Sequence, residues 1–193
     1  VDVVASYRNI GLGAAALSIN LAGNYRLKNE LVGGWQAVNN KIGLPIYNQT
    51  SEALLTTSRP KYKFILGGDL TTGKLTFNLN NTLFGATQFN NADLSSDLQV
   101  EFLPKVLTDL GATYSINSKT TFSLTIQNIL NVMPEYKLKA MNADGQLILN
   151  DESQVAEQIS YITFNGRYPV LTYDGSHFSQ MGSTYLAQLT FKF

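Results

Sequence analysis

The chain has no cysteine. That excludes disulfides, thiolate nucleophiles and cysteine-ligated zinc. It has a single histidine, His177, and a single tryptophan, Trp35. A histidine-based triad needs a serine and an acid converging on the ring. Asp174 and Ser176 are neighbours of His177 in sequence, but a polar loop supplies such neighbours by chance. Charge is scarce as well. Charged residues make up 15% of the 193, below the roughly 25% of soluble domains. The 14 basic and 14 acidic residues cancel, which removes the basic footprint that nucleic-acid binding requires. No apolar run approaches the roughly 18 residues of a membrane-spanning helix. The chain also lacks an initiator methionine and a signal-peptide pattern, and it opens inside an alternating segment. The expectation is that sequence upstream of Val1 is missing.

What is present is alternation. The ending Tyr185-Leu186-Ala187-Gln188-Leu189-Thr190-Phe191-Lys192-Phe193 sets Tyr185, Ala187, Leu189, Phe191 and Phe193 against a mostly polar set. Period two places the two sets on opposite faces of a strand. Six earlier segments carry the same pattern. They are Val1–Tyr7, Leu17–Tyr25, Tyr62–Leu70, Leu75–Leu79, Leu110–Ile116 and Phe122–Ile126. Val4 and Ile65 are the clearest exceptions.

The connections alternate in length. Asn9 to Ala14, Thr71-Thr72-Gly73 and Asn117-Ser118-Lys119 are short. About Lys28–Pro60, Gln88–Lys105 and Asn131–Gln180 are long. Short turns at one end and long loops at the other are the outer-membrane barrel pattern. One parity assignment satisfies all of these connections, with every long loop outside. The fold class expected is all-β: a transmembrane antiparallel β-barrel segment of about seven strands, in the bacterial outer membrane. Bacterial barrels have an even strand count. Either residues 1–193 are the C-terminal part of a larger barrel, or an eighth strand lies in Gln158–Phe164, which also alternates.

Several stretches resemble the C-terminal part of TonB-dependent outer-membrane receptors. Ser58-Arg59-Pro60-Lys61-Tyr62-Lys63-Phe64 is similar to the family's entry into a descending strand. Asn80-Asn81-Thr82-Leu83-Phe84-Gly85 is similar to one of its strand ends. Pro104-Lys105-Val106-Leu107-Thr108-Asp109-Leu110, followed by Tyr114 and Phe122-Ser123-Leu124, resembles a strand and the next hairpin. Asn128-Ile129-Leu130-Asn131-Val132-Met133-Pro134 resembles a signature with Phe and Asp commonly at the positions of Leu130 and Asn131. Gln180-Met181-Gly182 resembles the start of the final strand.

The resemblance implies a barrel of roughly 22 strands with an N-terminal plug, both largely outside this stretch. It implies active import of a scarce solute, such as a ferric siderophore, haem, cobalamin or a glycan. Outer loops capture the solute, and the TonB complex acts through the plug. It also implies no cofactor, no enzymatic activity, and a terminal aromatic, Phe193, read by the barrel-assembly machinery. The partners expected are outer-membrane lipid, the rest of the barrel and plug, and the solute.

Candidate ligand contacts are residues in the long outer connections: Trp35, Tyr47, Phe89, Tyr136, Tyr161, Tyr168, Tyr173 and His177, with Phe164 and Phe178 in the same class. Loop aromatics form contact surfaces for ligands; mutual packing of long loops explains them equally. The strand tyrosines Tyr7, Tyr25, Tyr62, Tyr114 and Tyr185 read as an interface girdle. Lys63, Asp69, Lys74, Asp109 and Lys192 are expected to point inward. Asn142-Ala143-Asp144-Gly145 and Asn150-Asp151-Glu152 offer oxygens to calcium, though solvated turns fit their spacing better. Two rival readings stand beside the transporter: a complete eight-stranded outer-membrane barrel with a structural or adhesive role, and a soluble β-sandwich.

Overall fold

All seven alternating segments form strands of one antiparallel sheet. The computed structural model describes residues 1–30, 49–163 and 178–193. The sheet comprises β1 (Asp2–Leu12), β2 (Ala15–Tyr25), β3 (Tyr62–Thr72), β4 (Leu75–Phe84), β7 (Lys105–Ser115), β8 (Thr120–Gln127) and β10 (Thr184–Phe191), in that spatial order. Every neighbour in space is also the next alternating segment in sequence. Between them lie α1 (Gln49–Thr56), β5 (Thr87–Phe89), β6 (Leu98–Phe102), β9 (Tyr136–Ala140), α2 (Ala143–Leu149) and α3 (Glu152–Ile162). The chain is mostly antiparallel β-sheet. Among the described residues the large sheet does not close, and β1 and β10 are its edges.

Register makes one face apolar from edge to edge. Paired residues share a face, and the pairs run Tyr7–Ile19, Leu21–Leu66, Leu70–Phe77, Leu79–Leu110, Ala112–Leu124 and Leu189–Phe122. A slip of one residue at any step would turn a whole strand over. The opposite face is polar and cross-linked between strands. Asn24 donates to Asp2 at 2.5 Å, Asn78 to Asp69 at 2.5 Å, and Thr113 to Ser123 at 3.2 Å. Gly67 lies between the side-chain oxygens of Asn20 and Asn80, which occupy the space a Cβ would need.

The first hairpin is tighter than the Asn9–Ala14 turn expected from sequence. β1 continues to Leu12 and the turn is only Gly13-Ala14. A bulge makes this possible. Pairing steps from Tyr7–Ile19 to Ile10–Leu17, so β1 carries one extra residue. Asn9 sits there at φ 60°, a left-handed conformation that asparagine tolerates better than most residues. The extra residue shifts parity, so Ile10 and Leu12 join the apolar face instead of the polar one.

The candidate eighth strand is helical over its described residues. Residues 158–162 belong to α3. The period-two reading of Gln158–Phe164 loses to helical spacing of Val155, Ile159 and Ile162, three and four residues apart. The cap settles the matter: Asp151 accepts hydrogen bonds from the backbone N–H groups of Ser153 and Gln154, while the Gln154 side chain donates back to Asp151 at 3.0 Å. Asp151-Glu152-Ser153-Gln154 is a variant of the capping-box pattern. Asn142 likewise caps α2, accepting from Gly145. Both proposed calcium stretches are therefore helix starts, and the solvated-turn reading is corrected with them.

The segment after β8 is an anchored corner. Asn128 and Asn131 adopt φ 51° and 52°. The Asn128 side chain bonds the backbone N–H and C=O of Val132, both at 2.8 Å, and its own N–H donates to Asp109 at 2.7 Å. Ser183, just before β10, donates from its hydroxyl to the Asn128 carbonyl at 2.6 Å and from its N–H to Asn131 at 3.1 Å. The corner thus ties the ends of β7, β8 and β10 together. Asn128 is 4% exposed, so orphaned groups there find no water. Asn128→Ala should cost about 2–3 kcal/mol, from lost hydrogen bonds and a Cβ at positive φ without amide compensation. A lower urea midpoint for the folded protein checks this; an unchanged midpoint would contradict the anchoring role.

Candidate functional site

The long connections gather at one end of the sheet and build a cap there. Its frame is a three-stranded sheet in the order β5-β6-β9. The strands were legible in principle: Leu98-Gln99-Val100-Glu101-Phe102 and Tyr136-Lys137-Leu138-Lys139-Ala140 both alternate. They lie inside connections read as irregular. One face of this small sheet carries Phe89, Leu98, Val100 and Phe102, all buried, with Tyr136 and Leu138 against Leu94 and Ile162. The buried hydrophobic side chains among the described residues all lie in the cap. α1 joins it through Thr57, whose carbonyl accepts from the Gln88 N–H at 3.0 Å and whose hydroxyl donates to the Gln88 carbonyl at 2.8 Å.

The other face of the small sheet holds a charged cluster that sequence reading missed. Gln88, Glu101 and Lys137 are register partners. Glu101 accepts from Gln88 at 3.2 Å and pairs with Lys137 at 3.0 Å and Lys139 at 3.9 Å, with its side chain 15% exposed. Burial alone would raise the Glu101 carboxyl. Hydrogen bonds from Lys137 and Gln88 and the charges of both lysines outweigh it and hold the group below its ordinary value. Lys105, at the start of β7, pairs with Glu135 at 2.5 Å and links the large sheet to the cap.

The aromatic candidates separate by environment. Phe89 is inside the cap at 3% exposure. Tyr136 is half-buried beside Phe102, ring centroids 6.2 Å apart, and burial raises its phenol pKa. Tyr161 is exposed on α3 and donates to Glu157 at 2.5 Å; that hydrogen bond raises its pKa. Phe178 packs against Phe84, centroids 5.5 Å apart. Trp35, Tyr47, Phe164, Tyr168, Tyr173 and His177 lie outside the described residues. Phe89 and Tyr136 thus lie on the same packed face of the small sheet, on either side of β6, and Tyr161 stands apart on the surface.

A cleft of 230 Å³ opens between α1, the end of β5, β6 and the residue after β9. Glu52, Thr56, Thr57, Asn90, Gln99 and Met141 line it with Ala53. None of the described aromatic candidates does. Its lining mixes hydroxyl, amide and carboxylate groups with the apolar Ala53 and Met141, and no sequence motif marks it because three separate connections supply it. Among the described residues no cluster of three or more His, Cys, Asp or Glu is placed to hold a metal ion.

The Glu101 cluster generates a pH dependence. Its carboxyl is depressed in the folded state, so its contribution is complete above the unfolded value and fades as pH falls through the folded one. Amide-exchange protection of β6 and β9 should decline in the wild type as pH falls below the ordinary carboxylate range. Glu101→Gln should lower protection at neutral pH by about 1–2 kcal/mol and flatten that decline. Parallel pH profiles for both proteins would show that Glu101 does not govern the cap.

Comparison of this chain with protein-family models, with curated proteins and with solved structures finds no match.

Proposed function

We propose that the chain is the C-terminal barrel portion of a TonB-dependent outer-membrane transporter. The single observation that carries this reading is the apolar face running across seven strands, with its large side chains open to solvent. Leu66, Phe77, Leu79, Phe122, Leu189 and Phe191 are each between 41% and 57% exposed. A soluble sandwich buries such a face against a second sheet; here the small sheet sits at the strand ends, in the cap. A hydrocarbon environment supplies what this face needs. The polar, hydrogen-bonded opposite face suits a water-filled or plugged lumen.

Two further features support the reading. The long connections share one end, as solute-capturing outer loops require, and the short turns share the other. β1 and β10 present free edges, which in lipid would leave backbone groups unsatisfied at several kcal/mol each; upstream strands of a larger barrel would pair them. With α3 replacing the candidate eighth strand, the small-barrel alternative loses the segment it relied on. In the transporter, the cap and its cleft would take part in capturing the solute, the polar face would meet the plug, and TonB would pull on the plug. Phe193, exposed beyond β10, would serve the assembly machinery. The protein would need no cofactor and catalyse no reaction.

Two experiments test this. Leu189 lies on the apolar face opposite Phe122, and Gln188 on the polar face opposite Ser123. Leu189→Arg should cost roughly 2–4 kcal/mol, falling toward zero near an interface, and reduce the heat-modifiable folded band of the full-length protein. Gln188→Arg should leave that band intact. Equal damage from both would remove the membrane reading. For transport itself, trimming within Lys28–Pro60, or within Asn131–Gln180 beyond the Asn128–Val132 corner, should depress solute uptake by cells while the folded band remains. Unchanged uptake after both deletions would place capture elsewhere.

A further inference from the structure

We infer that the outer edge of β9 receives a short extended peptide in which two acidic residues flank an apolar one. The inference rests on the reading of the cap as the part that captures solute, and it names the class of solute. The small sheet has two outer edges. That of β5 is closed: the Gln88 N–H donates to the Thr57 carbonyl at 3.0 Å, and the Gln88 carbonyl accepts from the Thr57 hydroxyl at 2.8 Å. That of β9 is open. The Leu103 N–H donates to the Glu135 carbonyl and the Met141 N–H to the Asp97 carbonyl, both at 2.8 Å. With the register between them, these bonds fix which residues of β9 face β6. Hydrogen-bonded pairs recur at every second residue, so Lys137 and Lys139 turn their backbone groups to β6. Tyr136, Leu138 and Ala140 turn theirs outward. Among the described residues nothing bonds these outward N–H and C=O groups. Such an edge is a template for an added strand.

The side chains bordering the edge select its occupant. Lys137 and Lys139 lie on the charged face, their side chains 58% and 45% exposed. They share one carboxylate, Glu101, while Glu135, the next acid on that face, is held by Lys105. Positive charge is therefore left over beside the edge. Residues of an added strand opposite Lys137 and Lys139 point to the charged face, where carboxylates complement it. The residue between them, opposite Leu138, points to the other face. There Tyr136 and Leu138 pack against Leu94, Val100, Phe102 and Ile162, and an apolar side chain fits. A second copy of this chain does not fit, because β9 against β9 would set lysine opposite lysine. A stable complex with a folded protein takes roughly 800 Å² from each partner. β9 has five residues, an edge of about 17 Å, which offers much less, so a short peptide is the occupant.

The test uses the full-length protein in neutral detergent and a short fluorescent peptide, blocked at both ends, with aspartate–valine–glutamate at its centre. The comparison probes are the same peptide N-methylated on its central backbone amides, and one with lysine–valine–lysine at its centre. Fluorescence anisotropy reads affinity, and residue-resolved amide exchange reads place. Without peptide, the amides of Leu138 and Ala140 should exchange quickly and those of Lys137 and Lys139 slowly. The acidic peptide should slow Leu138 and Ala140 and leave Lys137 and Lys139 as they were. The other two peptides should not bind. An opposite-charge pair across strands is worth up to about fivefold in affinity. Lys137→Gln with Lys139→Gln should therefore weaken binding about tenfold, and Lys137→Arg with Lys139→Arg should preserve it. Lys74→Gln with Lys119→Gln, at the opposite end of the large sheet, should leave it unchanged. Slow exchange of Leu138 and Ala140 before peptide is added, equal affinity for either comparison peptide, or an unaffected double glutamine variant would overturn the site. Uptake by cells separates the two ideas. Loop trimming that depresses solute uptake, with no peptide bound at β9, overturns this inference alone. Trimming without effect, again with no peptide bound, overturns the capture reading as well.

Discussion

The rest of this structure depends on an apolar face that the described residues leave uncovered. Seven strands alternate with period two, and each is paired so that its apolar set stays level with its neighbour's. The outcome is an apolar surface with no second layer among the described residues. A large apolar side chain left in water forgoes roughly 1.5–3 kcal/mol, so a face of this extent demands an apolar surrounding. The polar face has no such need, because asparagine, aspartate, threonine and serine satisfy one another across strand pairs. The ordinary arrangement, in which a sheet is stabilised by what it buries beneath it, is absent here. Water-excluded packing among the described residues sits instead at one end, in the cap.

Two local devices keep this arrangement consistent. The bulge at Arg8-Asn9 corrects the parity of β1 late in the strand, so that Ile10 and Leu12 do not point into the polar side. The corner at Asn128–Val132 stops β8, turns the chain into the cap and receives it again at Ser183, before β10. Both rely on asparagine at positive φ. In the first the asparagine serves chiefly by tolerating the conformation. In the second its side chain also replaces the hydrogen bonds that a strand would have made. Together they let a long excursion leave and rejoin the sheet without disturbing its register.

The cap has an organisation of its own. Its small sheet divides into a buried apolar face and a charged face centred on Glu101, each made by the same alternation that shapes the large sheet. α2 and α3 start at asparagine and aspartate caps, and Gln158 of α3 holds the backbone of Ser95 at 2.9 Å. The lining groups of the cleft come from elements held to one another, α1 to β5 through Thr57 and Gln88, and β6 to β9 through their pairing. The proposed function therefore rests on two separated properties: an exposed apolar face on the large sheet, and a packed cap at one end of it.

Much of the wall was legible in the sequence by itself. Alternation identified all seven strands and assigned their residues to faces, since side-chain direction in a strand depends only on parity. The alternation of short and long connections put the loops at one end for the same reason, as chain direction reverses at every strand. Sequence could not see the parity change at Asn9, because a bulge is visible only in pairing. It left Gln158–Phe164 open as a possible eighth strand because a short apolar pattern satisfies two periods at once, and the Asp151 cap decides for helix over residues 158–162. Tertiary structure alone decided that Phe89 and Tyr136 go into a core. It alone gathered Gln88, Glu101, Lys137 and Lys139 into one cluster, and Glu52, Asn90 and Gln99 into one cleft. These groups are far apart in the chain, and only the folding of three connections against each other makes them neighbours.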